Sequence, residues 1–459
     1  MSHLGSGLQT LLAFLVALLL LIVVHEWGHY WVARRLGVKV LRFSIGLGRP
    51  LWRWRRGADQ TEWVIAAFPL GGYVRMLDER EAPVASEEVA RAFNRQSLKT
   101  RAAIVAAGPL ANFLLAFLLY VVLYLAGIPG LRPYLDAPAP GTLAAQAGFA
   151  AGDLVEQVGS VPVLSWSEFQ LQVLDQALDQ PILSFQGRDG AQHLWIRQIA
   201  LTDLDSTLEE STLWSRLGFT PWDYPLPAQV GQVLPQSPAS RGGLQVHDQI
   251  LAINGQPLDS WQALVTRVRA SPGQNLRLQI RRAQGVLTCD VVPLAETQPD
   301  GSTIGKMGVA PEVPPALAAQ HWVTLRDTPG QALRHAAQKT WELTALTFKT
   351  FGRMVIGASS WKNVGGPIQI ADYAGQTARK GLIPYLTFIA MISISLGALN
   401  LLPVPLLDGG HLMYYAVELI KGSPLSDQLM AFTQRIGLFL LVALMGFALY
   451  NDIQRLLTN

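Results

Sequence analysis

The chain has 459 residues, enough for two to four domains, and 50% of them are hydrophobic while 15% are charged. This composition is unusual for a soluble globular protein and predicts a membrane component. The net charge of +3 is too small to indicate nucleic-acid binding. The single cysteine, Cys289, excludes an intramolecular disulfide, so a bound metal would need His and carboxylate ligands.

Four segments without Lys, Arg, Asp or Glu predict transmembrane helices, because about 20 apolar residues cross a bilayer. They are residues 8–24, 102–128, 382–407 and 436–450, and with their flanks we place the spans at residues 1–30, 102–128, 382–410 and 431–450. A secretory signal peptide is an alternative for the first segment. However, no Lys or Arg precedes Arg34, so the positive region that begins such signals is missing.

The distribution of positive charge predicts the orientation of the spans. Lys and Arg outnumber Asp and Glu two to one between residues 31 and 101, as is typical of cytoplasmic segments. The long region of residues 129–381 and both termini would then lie on the opposite side of the membrane.

The first span continues into His25-Glu26-Trp27-Gly28-His29. A spacing of four residues on a helix places both imidazoles on one face, where they can bind a single cation. The neighbouring Glu26 is suited to take a proton from water at the metal and return it to the leaving amine. This pattern also occurs by chance, but ionisable side chains beside a bilayer core are costly unless they bind something. We therefore predict a zinc site that needs a third ligand.

The segment of residues 31–101 contains two β-like runs. Residues 43–48, with Gly46 and Gly48, precede Trp52 and Trp54, and residues 63–68 form the second run.

The middle region contains an internal repeat, in which residues 144–166 match residues 239–261 without a gap. A period this long indicates a small domain that is present twice, at residues 129–222 and 223–312. In the second copy, a turn, a strand, a helix near residues 261–268 and another strand resemble a PDZ domain, whose sheet edge and helix bind an extended peptide. The alternative is that both copies are β-rich spacers. The identical positions are Ala144, Gly148, Asp153, Pro162, Ser165 and Trp166, which recur as Ala239, Gly243, Asp248, Pro257, Ser260 and Trp261.

Residues 313–381 are predicted to form amphipathic linker helices. Residues 332–355 mix apolar with basic side chains, which suits either a helix in the membrane interface or one that packs on the second copy.

The third span ends in a sequence that runs from Asn400 to Gly410. Pro403 and Pro405 remove backbone donors, so the helix cannot continue regularly. Unwound backbone at that depth must face protein or a wet cavity. Asp408 is the carboxylate that adjoins this span, and the charge-derived orientation brings it to the side of His25 and His29. It is the predicted third ligand, with the nearby His411 as an alternative.

HExxH in a first span together with NxxPxPxLDG in a later one resembles the site-2 protease family of intramembrane zinc metalloproteases. The resemblance implies a function for each residue that matches a family motif. It implies that His25, His29 and Asp408 bind Zn²⁺, that Glu26 is the general base, and that Asn400 and Pro403 contact substrate. Asn112, in the motif that begins at Gly108, would support the metal ligands or bond a neighbouring helix. Gly46 and Gly48 would contact substrate from the family's membrane-associated hairpin, although that hairpin could equally be a Trp anchor in the interface.

The predicted fold is therefore a polytopic α-helical membrane protein with about four transmembrane helices and two tandem PDZ-like α+β domains between the second and third spans. By resemblance it lies in a bacterial inner membrane, with periplasmic PDZ-like domains and an active site near the cytoplasmic side. Its partners would be single-span proteins already trimmed in the periplasm, with an anti-sigma factor or signal-peptide remnants as substrates, besides membrane lipid and peptide termini at the PDZ-like domains.

Two other functions fit parts of the sequence. The first is a PDZ-bearing membrane scaffold with a structural zinc site, which would not need Glu26. The second is a soluble-type metalloprotease on a membrane anchor, which conflicts with the arginine-rich segment that follows His29.

Overall fold

The structure is a computed structural model that describes residues 2–201, 210–222, 226–283, 285–297, 302–357, 365–423 and 425–458. The chain divides into two compact units. One consists chiefly of Met1–Ile128 and Leu325–Gln454, and the other chiefly of Pro129–Asp205 and Glu210–Thr324.

The helices are numbered in chain order. They are α1 (Ser2–Arg35), α2 (Leu98–Ala126), α3 (Leu143–Gln146), α4 (Trp166–Asp179), α5 (Glu210–Leu217), α6 (Pro238–Arg241), α7 (Trp261–Arg269), α8 (Pro315–His321), α9 (Pro329–Val355), α10 (Pro367–Lys380), α11 (Leu382–Leu401), α12 (Asp408–Lys421) and α13 (Asp427–Thr458). Two short 3₁₀ turns, Val89–Arg91 and Phe93–Arg95, precede α2.

The strands are also numbered in chain order. They are β1 (Val40–Arg56), β2 (Thr61–Met76), β3 (Ile128–Leu131), β4 (Leu154–Val158), β5 (Val161–Pro162), β6 (Ile182–Arg188), β7 (Leu194–Ala200), β8 (Val230–Val233), β9 (Gln249–Ile253), β10 (Gln256–Pro257), β11 (Leu276–Arg282), β12 (Gly285–Val291), β13 (Leu294–Thr297), β14 (Thr303–Lys306), β15 (Val309–Pro311) and β16 (Trp322–Leu325).

The first unit contains the membrane-spanning helices. Within the described residues, four helical segments are long and apolar enough to cross a bilayer: Gly7–Arg35, Leu98–Ala126, Leu382–Leu401 and Gln428–Gln454. The four predicted spans correspond to these segments, so the chain is a polytopic α-helical membrane protein.

Small residues bring the spans close together. A Cβ added at Gly28 of α1 would lie 2.8 Å from the Cβ of Ala111 in α2, so α1 and α2 cross where one of them has no side chain. On another face of α2, the Ser393 hydroxyl of α11 donates a hydrogen bond to the backbone carbonyl of Asn112 at 2.7 Å. Both contacts position the polar residues of α1 and α2.

β1 and β2 form a sheet against α1 that is more elaborate than a simple hairpin. Residues 42–45 lie between residues 62–65 and residues 72–75, and residues 50–56 pair with residues 61–66. Because each long strand bends, the sheet consists of four segments side by side. Their order is residues 50–56, 61–66, 42–45 and 72–76, so the first and last of these form its two edges. Gly46 and Gly48 allow the bend in β1, since both have positive φ (90° and 88°).

Aromatic rings attach this sheet to α1. The Trp63 ring centroid lies 5.2 Å from that of Tyr30 and 4.7 Å from that of Phe43. Such ring pairs add to the apolar burial and hold the sheet beside the span.

The second unit contains two four-stranded sheets with the same strand order, β5-β4-β6-β7 and β10-β9-β11-β12. A helix follows the short second strand of each, α4 in the first module and α7 in the second. We call residues 129–222 and 226–312 the first and second module.

The repeated residues occupy equivalent structural positions in the two modules. Gly148 and Gly243 both have a φ of 80°, which a residue with a side chain rarely adopts. Ser165 and Ser260 cap the N-termini of α4 and α7 through their side chains. The internal match in the sequence thus reflects turns and caps as well as apolar positions.

The third span differs from its predicted limits of residues 382–410. α11 ends at Leu401, and Asp408 begins a separate helix, α12. Pro403 and Pro405 lie between the two helices, where their missing N–H groups cost no helical hydrogen bond. The fourth apolar helix, α13, extends beyond the predicted residues 431–450 at both ends.

Candidate metal centre

The two histidines of the HExxH motif lie together at the C-terminal part of α1. Their ring centroids are 4.8 Å apart, and their Nε2 atoms are 3.2 Å apart. Both side chains are largely buried, with 12% of each exposed. The spacing on the helix therefore produces the paired imidazoles that the sequence predicted.

Asp408 reaches the histidines from the first turn of α12. Its Oδ2 lies 3.1 Å from Nε2 of His25, and its Oδ1 lies 3.5 Å from Nε2 of His29. A carboxylate in a first helical turn is also favoured by the helix dipole.

A compact loop places Asp408 there. Cβ atoms at Gly409 and Gly410 would overlap the backbone of residues 401–405, so the loop can fold this tightly only over glycine. Leu406 has a φ of 83°, which costs a non-glycine residue energy and is found most often at functional sites.

The three side chains fit a zinc ion. Zinc ligands lie about 2.0–2.1 Å from the metal in a tetrahedron, so neighbouring ligand atoms should be about 3.3 Å apart. The observed separations of 3.1, 3.2 and 3.5 Å fall around that value. Within the described part of the chain, His25, His29 and Asp408 form the group that can hold a metal, and no fourth protein ligand joins it. Three protein ligands leave a position open, as in catalytic sites.

Backbone and amide groups of α2 orient the imidazoles. Nδ1 of His29 lies 2.8 Å from the carbonyl oxygen of Ile104 and donates a hydrogen bond to it, which leaves Nε2 free to bind metal.

The amide nitrogen of Asn112 lies 3.2 Å from Nδ1 of His25, and the amide oxygen, Oδ1, is buried without a hydrogen-bond partner. The two ends of an amide are exchanged by a half-turn. After such a half-turn, Oδ1 of Asn112 faces His25 and accepts a hydrogen bond from its Nδ1–H, as the Ile104 carbonyl does from His29.

Gly108 and Pro109, which begin the predicted motif of Asn112, also shape the site, although a function was predicted only for Asn112. A Cβ at Gly108 would overlap the His29 ring and lie 2.8 Å from Cε1 of His25, so glycine makes room for the histidines. Pro109 cannot donate to the carbonyl of Val105, which lines the neighbouring cavity. A Gly-Pro pair inside an apolar helix was the available signal.

A cavity of about 350 Å³ opens beside the three ligands. Glu26, the predicted base, and Asn400, a predicted substrate contact, line it, and so does His411. Pro403, Gly46 and Gly48 are not among its lining residues. Instead, the edge of β2 borders the cavity through Gly72, Tyr73, Val74 and Met76.

Three further histidines, His247, His321 and His335, are not part of this group. His247 pairs with Glu312 at 2.8 Å, and His335 pairs with Asp327 at 2.6 Å. His321 is buried against the rings of Tyr134 and Trp222, and its burial lowers its pKa.

Comparison with known proteins identifies the family. The family model described as Peptidase family M50 matches residues 13–444, a range that includes both motifs. The chain belongs to peptidase family M50. The predicted resemblance to the site-2 protease family is thereby confirmed, and this M50 peptidase is an intramembrane metallopeptidase.

Full-length relatives support the assignment. This M50 peptidase is 42% identical to the regulator of sigma-E protease RseP of Escherichia coli (strain K12), over 98% of this chain and 100% of the relative. It is 41% identical to the protease RseP of Yersinia pestis over the same shares. A Neisseria meningitidis protein provisionally named a zinc metalloprotease is also 41% identical, again over 98% of this chain and 100% of the relative.

Among solved structures, the PDZ domain of the SdrC-like protein from Listeria innocua is similar, with 19% identity, a TM-score of 0.17 and coverage of 19% of this chain and 96% of that chain. That TM-score is too low to support a fold assignment, so the description of the modules rests on their own strand order.

Proposed function

We propose that this M50 peptidase hydrolyses a peptide bond in the transmembrane segment of single-span membrane proteins, with zinc held by His25, His29 and Asp408. The convergence of these three side chains on the wall of a cavity, with their metal-binding atoms 3.1–3.5 Å apart, carries the proposal. Held by these residues, zinc would supply a Lewis acid for the scissile carbonyl and would lower the pKa of a water molecule.

Glu26 acts as the general base. Its side chain lines the cavity between the metal ligands and the edge of β2, since a Cβ at Gly72 would lie 2.9 Å from Cγ of Glu26. From there the carboxylate can accept a proton from water and deliver it to the leaving amine.

Asn400 binds the substrate backbone. It lies near the end of α11 and lines the same cavity. Its amide can donate to a substrate carbonyl and stabilise the charge that develops on the oxygen during attack. Pro403 supports this indirectly, because it prevents α11 from continuing across the cavity.

The edge of β2 receives the substrate as an added strand. Residues 72–75 pair with residues 42–45 along one side, and Gly72 to Met76 border the cavity along the other. A substrate helix must unwind before its peptide bond can be cut, and an open strand edge offers backbone partners for the unwound segment. Gly46 and Gly48 contribute by bending β1 so that this edge is exposed.

The modules and the orientation of the chain suggest how substrates are chosen. Because the two modules share one strand order, we assign both a PDZ-like role in binding peptide termini. Because the positive charge of residues 31–101 favours the cytoplasm for that segment, we place the modules in the periplasm. Relatives at 42% identity are named regulators of sigma-E protease. The substrate class is accordingly an anti-sigma factor already trimmed in the periplasm, with signal-peptide remnants as a second class.

The test uses the full chain reconstituted in lipid with a model single-span substrate. We expect Glu26→Gln to keep its zinc and lose cleavage, and a zinc chelator to abolish cleavage by the wild type. Glu342→Gln, a matched change on α9, should cleave normally. Wild-type cleavage by Glu26→Gln, or indifference to the chelator, would show the mechanism to be wrong.

A further inference from the structure

The edge of the β1–β2 sheet farthest from the catalytic cavity, residues 50–56, exposes aromatic and basic side chains together. Leu51 and Trp52 are 73% and 68% exposed. Arg53 is 63% exposed and lies 3.9 Å from Glu62. Within the described residues, Arg49, Arg55 and Arg56 form no ion pair and are also exposed.

Successive side chains of residues 52–56 alternate between the two faces of this segment, so Arg56 shares a face with Trp52 and Trp54. Trp52 and Trp54 project to one side, where Trp54 stacks on Trp63 at 6.1 Å, while Arg53 and Arg55 project to the other. Trp63 contacts rings of α1 in turn. The edge segment is therefore held against a membrane span by its aromatic face and presents a row of guanidinium groups.

The position of this segment along α1 is at a membrane boundary. β1 ends at Arg56, and a Cβ at the adjoining Gly57 would lie 3.5 Å from Nη1 of Arg34, in the last turn of the first span. Trp31 in that turn is half exposed, and the Arg35 guanidinium lies over its ring at 5.1 Å. Trp and Arg side chains concentrate where hydrocarbon meets headgroups.

We propose that residues 49–56 bind the headgroups of anionic phospholipids. Guanidinium groups make paired, charge-assisted hydrogen bonds to phosphate, and unpaired arginines favour lipids with net negative charge over zwitterionic ones. Trp52, Trp54 and Leu51 supply the apolar side chains that enter the adjoining acyl region. This inference requires the membrane spans and does not depend on the peptidase activity.

The experiment measures quenching of tryptophan fluorescence in the reconstituted full chain. Either phosphatidylglycerol or phosphatidylcholine with brominated acyl chains is added at the same fraction of the lipid. The quenching due to Trp52 and Trp54 is the difference in quenched fluorescence between the wild type and the variant Trp52→Phe/Trp54→Phe. We expect stronger quenching by the brominated phosphatidylglycerol, and an excess that declines as salt is added.

The arginines are tested by Arg49→Gln/Arg55→Gln/Arg56→Gln. This triple variant should lower the preference for the anionic lipid by at least about fivefold. Its quenching by brominated phosphatidylcholine should persist, which shows that the strand still lies at the membrane. The matched control Arg269→Gln/Arg277→Gln/Arg281→Gln removes three exposed charges from the second module and should keep the preference. Equal quenching by both lipids in the wild type, or an unchanged preference in the triple variant, would overturn the proposal.

Discussion

At the scale of single residues, the metal centre depends on groups that never touch the metal. His25 and His29 can each offer Nε2 only when Nδ1 carries the proton, and α2 supplies an acceptor for each: the carbonyl of Ile104 and, after a half-turn of its amide, the Oδ1 of Asn112. Asn112 is fully buried, so water cannot replace its side chain.

Replacing Asn112 by leucine should weaken zinc binding about 10- to 100-fold, because His25 loses the acceptor that fixes its tautomer. The zinc affinity of the purified protein, measured by competition with a chromophoric chelator, tests this. Asn112→Asp retains an acceptor oxygen and should bind zinc more tightly than Asn112→Leu. Equal affinity of Asn112→Leu and wild type would contradict the assigned role.

At the scale of elements, a close helix crossing shapes the metal site, and buried ion pairs stabilise the two modules. The crossing of α1 and α2 requires glycine at position 28, because a Cβ there would overlap Ala107 and Ala111 of α2. In the second unit, Asp248 is fully buried and accepts hydrogen bonds from Arg282 at 2.7 Å and from the backbone N–H of Gln245 at 2.8 Å. Asp153, the equivalent aspartate of the first module, pairs with Arg197 of β7.

Gly28→Ala should destabilise the protein by about 1–3 kcal/mol, because the new methyl group overlaps α2 and outweighs the helical preference for alanine. Gly352→Ala is the matched control, since nothing lies within 4 Å of a Cβ at that position of α9. The control should be neutral or slightly stabilising. The melting temperature in detergent and the zinc content of each variant are measured. Identical melting temperatures of Gly28→Ala and Gly352→Ala would show that the crossing of α1 and α2 tolerates a side chain.

Asp248→Asn should destabilise the second module by about 3 kcal/mol, because it leaves Arg282 without its buried partner. Hydrogen exchange of β9 and β11 in the full chain measures this as faster amide exchange. Asp259→Asn, an exposed change, should have no more than about 0.5 kcal/mol of effect. Unaltered exchange in Asp248→Asn would contradict the prediction.

The same pair predicts how the module responds to acid. Burial acts to raise the pKa of Asp248, but hydrogen bonds from Arg282 and Gln245 outweigh it and hold the pKa below its usual range. A depressed folded-state pKa stabilises the module above the unfolded pKa of about 4, and this stabilisation is lost as the pH falls through the lower folded value. The protection factors of the wild type, which divide out the slower intrinsic exchange at low pH, should therefore fall below about pH 4, and Asp248→Asn should lack that component.

At the scale of the whole molecule, the proposed orientation places the second module in the periplasm. Cys289 is the chain's one cysteine, lies on β12 in this module and is partly accessible. A membrane-impermeant maleimide should therefore label it in spheroplasts without lysis, and Cys289→Ser should remain unlabelled. Burial raises the pKa of this thiol, so labelling should accelerate as the pH rises. Labelling that appears only after lysis would show that the second module lies in the cytoplasm, opposite to the proposed orientation.

The sequence by itself determined the membrane class, the duplicated module and the principal metal ligands. Long uncharged segments must span a bilayer, a gapless internal match shows a domain copied once, and a spacing of four on a helix fixes the two histidines on one face. These features depend on local periodicity and composition, which a sequence displays directly.

The tertiary structure decided which distant groups complete the site. Periodicity does not show which part of the β1–β2 sheet borders the cavity. The edge at Gly72–Met76 does so, whereas Gly46 and Gly48 do not, because the pairing of the two bent strands depends on contacts with α1. Nor does periodicity show that Asp408 begins a new helix, or that Gly108 and the Ile104 carbonyl serve the histidines. Such contacts join residues far apart in the chain, and their geometry is set only when the helices and the sheet pack together.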